Sequence, residues 1–432
     1  MSTAAPPAAG PPGFDPVRLL DALGLPVPLP GGGLPLARLD GGTGPAVTVA
    51  AALTPAARAV AAQRGTPLLV VVPPPGLGPA RPDGAPARPD GAPARPDGNP
   101  ASGVAASGVA STGDSAAAVG GGASAAPILA VRGATAGTGS TGNGGGVNKP
   151  WPVVVAASSP WAVAGADCGL LVGEQGPADR SGLDEPAAAD LIRRFLDLSV
   201  GERPVEPAPA GPSLIEIVPF AVDAAYDPEA VLAAVVDGGR WVELAAGAAP
   251  EVLTVVARIG GRPVGVTMSR PAGNGGLLTP AGCARVERLL DWCERGGRPW
   301  VSLVDTAGVE TGADAISQEA LRRAAARARS AEVTKLAVVV GRAVGLAATV
   351  LGAVGARADL VLPWPRARLS LTPPPPDLDP AEAGRLAAAD RAATEGDLLD
   401  VIHPDETRAR LIELLDLVRG RREYGERPGV AQ

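Results

Sequence analysis

Short apolar runs bounded by glycine and proline recur along the chain, and two of these runs have the same surroundings. Leu68–Val72 and Trp300–Val304 are rich in Val and Leu, the pattern of a buried strand. Each run is preceded by a Gly-x-Pro segment and followed by a glycine that predicts a tight turn. The matched positions, which keep their spacing without gaps, are Gly65 and Gly297, Pro67 and Pro299, Val72 and Val304, and Gly76 and Gly308. We interpret this match as an internal repeat.

A second strand with its own pair of glycines follows in each copy of the repeat. The glycine pairs and the runs before them are Gly133 and Gly137 after Ile128–Val131, and Gly341 and Gly345 after Leu336–Val340. Glycine directly after an apolar run is typical of a turn at the end of a strand. We therefore expect a second buried strand and a second tight turn in both halves of the chain.

A predicted helix start precedes each copy of the repeat. The sequence Leu-Thr-Pro-Ala stands at Leu53–Ala56 and again at Leu278–Ala281. Threonine can cap a helix and proline can occupy its first position. The predicted order in each half is helix, strand, glycine turn, helix, strand, glycine turn and helix. This order predicts an α/β fold with parallel strands. A chain rich in Gly and Pro could repeat this spacing of glycine and proline by chance, but the shared order of elements favours duplication.

The length of 432 residues and the local composition predict two domains together with less ordered segments. Residues 77–126 are rich in Pro, Gly, Ala and Ser and contain the repeated heptapeptide ARPDGAP, so we expect a disordered insertion. The predicted order is an N-terminal tail at 1–45, a first domain at 46–201 that includes this insertion, a linker at 202–212, and a second domain at 213–428.

The charge balance and the scarcity of metal ligands exclude several classes of function. A net charge of -7 without a cluster of Lys, Arg and aromatic residues argues against nucleic-acid binding. The N-terminus lacks the pattern of a secretory signal, and no apolar run is long enough to span a bilayer, so a cytoplasmic protein is expected. Cys168, Cys283, Cys293 and the single His403 lack the spacing of a zinc site, which disfavours a metal centre and a disulfide scaffold.

Beyond the repeat, a series of motifs occurs in the same order as in one known family. The clearest are Ala257–Val266, Gly276–Leu278, Trp292–Cys293, Leu303–Gly308, Gly355–Asp359, Glu395–Ile402 and Arg421–Glu423. They resemble the carboxyltransferase (β) subunits of biotin-dependent acyl-CoA carboxylases of the acetyl-/propionyl-CoA carboxylase type. The resemblance covers residues 165–428 well and the part before them only in outline, which is the pattern of a divergent member.

The family implies a duplicated crotonase-like (ββα superhelix) fold with two similar domains. It also implies the reaction, which moves a carboxylate from carboxybiotin to the α-carbon of a short acyl-CoA. Coenzyme A is then held by the N-terminal domain of one subunit and carboxybiotin by the C-terminal domain of another, so an oligomer is expected. Biotin would be carried on a separate carrier protein and charged by a separate biotin carboxylase. Developing negative charge can be stabilised by backbone N–H groups in glycine turns, without a metal or a catalytic side chain.

The resemblance places the biotin-side oxyanion turn on Gly345, Leu346 and Ala347. The second glycine of the family's turn is Leu346 here, whose backbone N–H can still donate. Further biotin contacts are expected at Gly308, Val309 and Val344, where two aromatic residues of the family's pattern have become valines.

The acyl-CoA side departs further from the family. Its first turn falls on Pro73–Gly76 and its second on Ala136–Thr138, so the expected donors are Gly76 and Gly137. Proline has no N–H to donate, and losing one oxyanion donor costs about a hundredfold or more in rate. Both turns are therefore degenerate, unless the low-complexity sequence conceals the true donors at other positions.

Three functions are compatible with these residues. The first is an active carboxyltransferase subunit, and the second is a catalytically impaired paralogue with a structural or regulatory role in an acyl-CoA carboxylase complex. A decarboxylase using the same two pockets is the third. Lys335, at the start of a predicted core strand, is interpreted as structural.

Overall fold

Two β-sheets, one from each half of the chain, carry the fold. The computed structural model describes residues 16–25, 36–40, 46–50, 55–64, 67–72, 153–157, 170–173, 180–181, 183–220, 224–245, 249–310, 315–370 and 401–423. All of them belong to one compact unit formed by residues 1–74 and 145–432.

The first sheet has six strands in the order of the sequence. They are β1 (Leu36–Arg38), β2 (Ala46–Ala50), β3 (Leu68–Val72), β4 (Val153–Ala157), β5 (Leu170–Gly173) and β6 (Arg180–Ser181). Strands β1 and β2 are antiparallel, and every later pair is parallel. The helices of this half are α1 (Pro16–Ala22), α2 (Pro55–Arg64) and α3 (Glu185–Ser199).

The second sheet repeats this plan with longer strands. Its strands are β7 (Trp241–Glu243), β8 (Val252–Ile259), β9 (Arg262–Ser269), β11 (Trp300–Thr306), β13 (Lys335–Val344), β14 (Leu360–Pro363) and β15 (Arg368–Ser370), while β10 (Leu277–Leu278) and β12 (Gly308–Val309) form a separate two-stranded ladder. The ladder from β7 through β9 is antiparallel, and β9, β11, β13 and β14 are parallel.

Helices of the second half cover the second sheet. They are α4 (Leu214–Ile217), α5 (Pro228–Val235), α6 (Pro280–Gly296), α7 (Ala315–Ser330), α8 (Gly345–Val350) and α9 (Thr407–Glu423). Helix α6 begins as predicted, because the side chain of Thr279 accepts a hydrogen bond from the Gly282 N–H and Pro280 occupies the first turn. Its apolar face lies in the buried cluster that also holds Trp300.

The predicted repeat is confirmed at its best-matched strands. Strands β3 and β11 begin at Leu68 and Trp300, which are equivalent positions of the repeat. Each strand follows a helix and pairs in parallel with a strand that precedes this helix in the sequence, β2 for β3 and β9 for β11. The expected α/β layout with parallel strands is therefore present in both halves.

The strand beside β3 in the first half is not among the runs assigned to the repeat. The parallel neighbour of β3 is β4, Val153–Ala157, which takes the place that β13 has beside β11. Ile128–Val131 and Gly137 lie outside the described residues, so their assignment to the repeat stays a prediction. Glycines are so frequent before residue 150 that a matching spacing there carries little information. In the second half, β13 continues through Gly341, so only Gly345 follows the strand.

The predicted linker at 202–212 is an exposed segment tied to the second sheet. The Arg203 N–H donates to the Gly261 carbonyl at 2.9 Å, and the Gly238 N–H donates to the Pro207 carbonyl at 3.1 Å. Arg408 of α9 donates to the Glu206 carbonyl at 2.6 Å. These bonds fix the path of the segment, and the domain boundaries on either side of it stay predictions.

Lys335 has the structural role expected from the sequence. Its buried ammonium group donates to the carbonyls of Ala328, Arg329 and Ala356 at 2.9, 3.3 and 3.1 Å, and burial lowers its pKa. Two of these carbonyls belong to the last turn of α7, where a helix leaves its acceptors unpaired.

Replacing Lys335 with methionine should lower the free energy of unfolding by about 1–3 kcal/mol, because three carbonyls lose their donor. Denaturant unfolding of the full chain measures this. The control is Arg329→Ala, which removes an exposed donor to the Gly355 carbonyl and should cost less than about 1 kcal/mol. Equal losses in the two variants would contradict a buried capping role for Lys335.

Candidate active site

The candidate site lies where the parallel strands of the second sheet end. Strands β11 and β13 finish at Thr306 and Val344, and each is followed by a glycine with positive φ, Gly308 at 126° and Gly345 at 58°. Ligands of parallel α/β sheets bind beyond the carboxyl ends of the strands. The two turns are therefore in the position where a substrate would be expected.

These two turns are next to each other in space. A Cβ atom built on Gly308 would lie 3.8 Å from Cγ1 of Val344, so no side chain separates the turns. Gly308 is held in place by β12, where it pairs with Leu277 of β10. The Ala307 N–H donates to the Gly276 carbonyl at 3.1 Å, a second bond between the turn and the same segment.

The turn at Gly345 leads directly into helix α8. Leu346 and Ala347 form the first turn of this helix, with Leu346 partly exposed and Ala347 buried. The first N–H groups of a helix have no acceptor within the helix. The N–H groups of Leu346 and Ala347 therefore have no acceptor within α8.

A buried carboxylate lies underneath the two turns. Asp305, only 1% exposed, follows directly after the apolar core of β11. Its Oδ1 accepts the backbone N–H of Arg342 at 3.0 Å and the Arg342 Nε at 3.1 Å, and its Oδ2 accepts the Tyr226 hydroxyl at 3.2 Å. The Arg366 guanidinium lies 4.0 Å from Oδ2. Burial, followed by the charge of Asp305, raises the pKa of Tyr226, so the phenol stays protonated and donates.

The β11–β13 ladder is irregular at Asp305. Val304 lies opposite Val339 and Thr306 opposite Ala343, so the regular pairing is interrupted at Asp305. The side chain of Thr306 stabilises the irregular segment, since its hydroxyl donates to the Gly276 carbonyl at 2.9 Å and accepts from the Gly308 N–H at 3.3 Å. Such irregularities redirect residues at the end of a strand and are frequent next to active sites.

A second charged cluster lies on the antiparallel side of the same sheet. Arg285 of α6 donates to Glu243 at 3.0 Å and to the Leu244 carbonyl at 2.8 Å, and burial lowers its pKa. Arg270 connects Glu243 to Glu229, at 3.5 and 2.6 Å. These contacts join α5, α6 and β7, which indicates a structural role.

Comparison with known proteins identifies the family of the domain that contains the two glycine turns. Residues 170–375, which contain both turns and Asp305, match the carboxyl transferase domain family. Residues 170–375 form a carboxyl transferase domain.

Several carboxylase subunits are similar to the chain. The biotin-dependent long chain acyl-coenzyme A carboxylase beta4 subunit of Mycobacterium tuberculosis is 27% identical over 271 residues, which are 54% of this chain and 52% of that subunit. A putative propionyl-CoA carboxylase beta chain of Bacillus subtilis is 26% identical over 282 residues, 59% of this chain and 55% of its own. The chain therefore spans about half the length of the curated relatives it matches, as a divergent relative of acyl-CoA carboxylase β subunits.

Solved structures share the fold. The transcarboxylase 12S structure, described as a hexamer assembly, superimposes with a TM-score of 0.55 at 20% identity and covers 65% of this chain and 67% of its own. A single-chain, multi-domain long-chain acyl-CoA carboxylase gives a TM-score of 0.50 at 23% identity, over 62% of this chain and 32% of that chain. The predicted duplicated crotonase-like carboxyltransferase fold of the α/β class is confirmed.

Within the carboxyl transferase domain, the structure brings together the residues assigned to the biotin side. Gly308, Val309, Val344, Gly345, Leu346 and Ala347 all lie at the carboxyl ends of β11 and β13. Their roles in catalysis stay predictions. Gly76 and Gly137, assigned to the acyl-CoA side, lie outside the described residues.

Sequence reasoning missed the polar residues beneath the turns. Asp305 and Thr306 were included only as letters of a family motif, and Tyr226 and Arg342 had no assigned role. One signal was available for Asp305, because a carboxylate that directly follows the buried run Trp300–Val304 requires partners inside the protein. The sequence could not identify Tyr226, which is far from Asp305 along the chain.

The other candidate groups named from the sequence, two cysteines and one histidine, have surroundings that indicate structural roles. Cys283 and Cys293 are buried free thiols, and burial raises the pKa of each to about 12. His403 is half exposed, and its Nδ1 accepts the Asp405 N–H at 3.4 Å. Within the described ranges, no three His, Cys, Asp or Glu side chains are grouped as metal ligands would be. No described helix is both long and apolar enough to cross a membrane.

Proposed function

We propose that the chain is a carboxyltransferase subunit of an acyl-CoA carboxylase, which moves a carboxylate from carboxybiotin to the α-carbon of a short acyl-CoA. The observation that carries the proposal is the pair of adjacent glycine turns at Gly308 and Gly345, inside residues that match the carboxyl transferase domain family. Backbone donors at such turns are suited to reactions in which negative charge develops on oxygen.

The residues at this edge fit the biotin urea group. Its oxygen gains negative charge as the carboxylate leaves, and bound carboxybiotin supplies the carboxylate itself. The N–H groups of Leu346 and Ala347 are assigned as donors to that oxygen. Gly308 keeps the approach open because it has no side chain, and Val309 and Val344 provide apolar walls.

A second candidate is favoured by the acyl-CoA side. The repeat aligns Pro73, Pro74 and Pro75 with Asp305, Thr306 and Ala307. The first copy thus lacks both the carboxylate and the hydroxyl that fasten the second copy, and its prolines have no N–H to donate. This difference supports a catalytically impaired paralogue with a structural or regulatory role in a carboxylase complex.

Partners follow from the proposed reaction. The chain would act with a biotin carboxylase and a biotin carboxyl carrier protein in the cytoplasm. It would also form homo- or hetero-oligomers with carboxyltransferase subunits, as the hexamer assembly of transcarboxylase 12S suggests by analogy. Binding to nucleic acid, to a membrane or to a metal is not part of the proposal.

Two half-reactions decide between the candidates. A carrier protein charged with labelled carboxylate is mixed with the full chain and acetyl-, propionyl- or longer acyl-CoA, and labelled product is measured. A carboxyltransferase should label at least one acyl-CoA. The chain is then mixed with a carboxylated acyl-CoA and free biotin to measure transfer in the opposite direction.

Loss of transfer in every combination would exclude the active enzyme. The paralogue is then tested by adding the chain to an intact carboxyltransferase subunit and measuring co-elution and the change in that subunit's rate. Neither co-elution nor a change in rate would exclude the paralogue as well.

A further inference from the structure

We infer that Asp305 is a positioning residue, which sets the place of the turn Val344–Leu346 by holding the end of β13. The inference rests on the proposed function in one respect, that this turn supplies the backbone donors of the biotin side. Asp305 lies beneath the turn and does not belong to it, so its contribution to the reaction is made through the backbone of β13.

The first support is the hydrogen bond between the Asp305 side chain and the backbone of β13. At the register shift between Val304 and Thr306, the Arg342 N–H donates to Asp305 Oδ1 at 3.0 Å. The position of Arg342 therefore depends on a side chain. Only two residues separate Arg342 from Gly345, so a shift of this N–H moves the turn directly.

The second support is how tightly the carboxylate is held. Its Oδ1 also accepts the Arg342 Nε, and its Oδ2 accepts Tyr226 and lies near Arg366. A Cβ on Gly341 would lie 2.3 Å from Asp305 Oδ2, so only glycine leaves room for the carboxylate in the strand. Charge-assisted bonds from several elements fix a buried group more firmly than a neutral pair does.

The third support is a contrast within the molecule. At the equivalent position of the first repeat stands Pro73, which cannot accept a hydrogen bond from a neighbouring strand through its side chain. The fastening at Asp305 therefore belongs to the second repeat alone.

The test is the isosteric variant Asp305→Asn, which has one acceptor in place of two. The amide also lacks the negative charge that holds the Arg342 and Arg366 guanidinium groups. Transfer from a carboxylated acyl-CoA to free biotin should fall by about 10- to 100-fold in kcat, since a misplacement near 1 Å has an effect of that order. The KM for the acyl-CoA should stay within about twofold, because a positioning defect on one side does not alter binding on the other.

Amide hydrogen exchange provides a readout that does not depend on activity. In Asp305→Asn, exchange should increase by about tenfold or more for residues 342–346, a free-energy change near 1.4 kcal/mol, and stay unchanged for residues 300–304. The control is Glu243→Gln, which weakens a buried carboxylate–arginine pair in the same sheet and should alter neither the 342–346 exchange nor the half-reaction.

Each outcome decides the inference. Unchanged exchange at 342–346 in Asp305→Asn would overturn it, and so would an equal rate loss in Glu243→Gln. If the unmodified chain is inactive in both half-reactions, the proposed enzyme function fails while the exchange comparison still decides whether Asp305 positions the turn.

Discussion

Replacing Leu346 with proline should reduce carboxyl transfer by about a hundredfold or more, because the substitution removes one assigned oxyanion donor. Proline is accepted in the first turn of a helix, and Leu346 is the second residue of α8. The free energy of unfolding should therefore change by less than about 1 kcal/mol. The measurement is kcat for transfer to free biotin, with denaturant unfolding of the same preparation.

The matched control is Leu346→Ala, which keeps the N–H and shortens the side chain. Its kcat should stay within about threefold of the unmodified chain, since a partly exposed side chain contributes little to the position of the backbone. A rate loss in Leu346→Ala as large as in the proline variant would assign the effect to the side chain. The N–H of Leu346 would then not be a donor in the reaction.

Replacing Arg258 with methionine should lower the free energy of unfolding by about 3 kcal/mol, since several buried carbonyls lose a charged donor. The Arg258 guanidinium donates to the carbonyls of Val200, Gly201 and Gly261 at 2.8, 2.7 and 2.7 Å, and also to that of Asp197. Three of these acceptors lie at the end of α3, so Arg258 joins this helix to β8. Burial lowers the pKa of the guanidinium, which nevertheless stays charged.

The control for this prediction is Arg203→Ala. Arg203 lies 3.6 Å from Asp197, and both side chains are about half exposed. Exposed pairs contribute about 0–1 kcal/mol. The measurement is denaturant unfolding of both variants, and a loss in Arg258→Met no greater than that in Arg203→Ala would show that α3 does not depend on the buried donor.

Local sequence determined the strands and turns of the second half. The apolar run at Trp300–Val304 forms a strand because it is too short for a buried helix. Turn residues bound it on both sides, Gly297 and Pro299 before it and Gly308 after it. Thr279 and Pro280 begin α6 for equally local reasons, a side-chain cap and a fixed φ. The family motifs predicted the fold class and the turn at Gly345, because the motifs occur together and in the family's order.

The first half shows where local signals stop being informative. The choice between Ile128–Val131 and Val153–Ala157 as the neighbour of β3 could not be made from spacing, because both are short apolar runs after glycine-rich sequence. Strand pairing is a long-range choice made by burial and register, and only the folded sheet contains that information.

The sequence by itself thus determined that this protein has a duplicated α/β fold of the carboxyltransferase type, with glycine turns after its second-half strands. Only the tertiary structure decided that Asp305 has Tyr226, Arg342 and Arg366 as neighbours and accepts a backbone N–H near the end of β13. The physical reason is that turns and strands depend on residues close in sequence. A buried charge depends on partners from several elements, and those partners meet only after the sheet has formed.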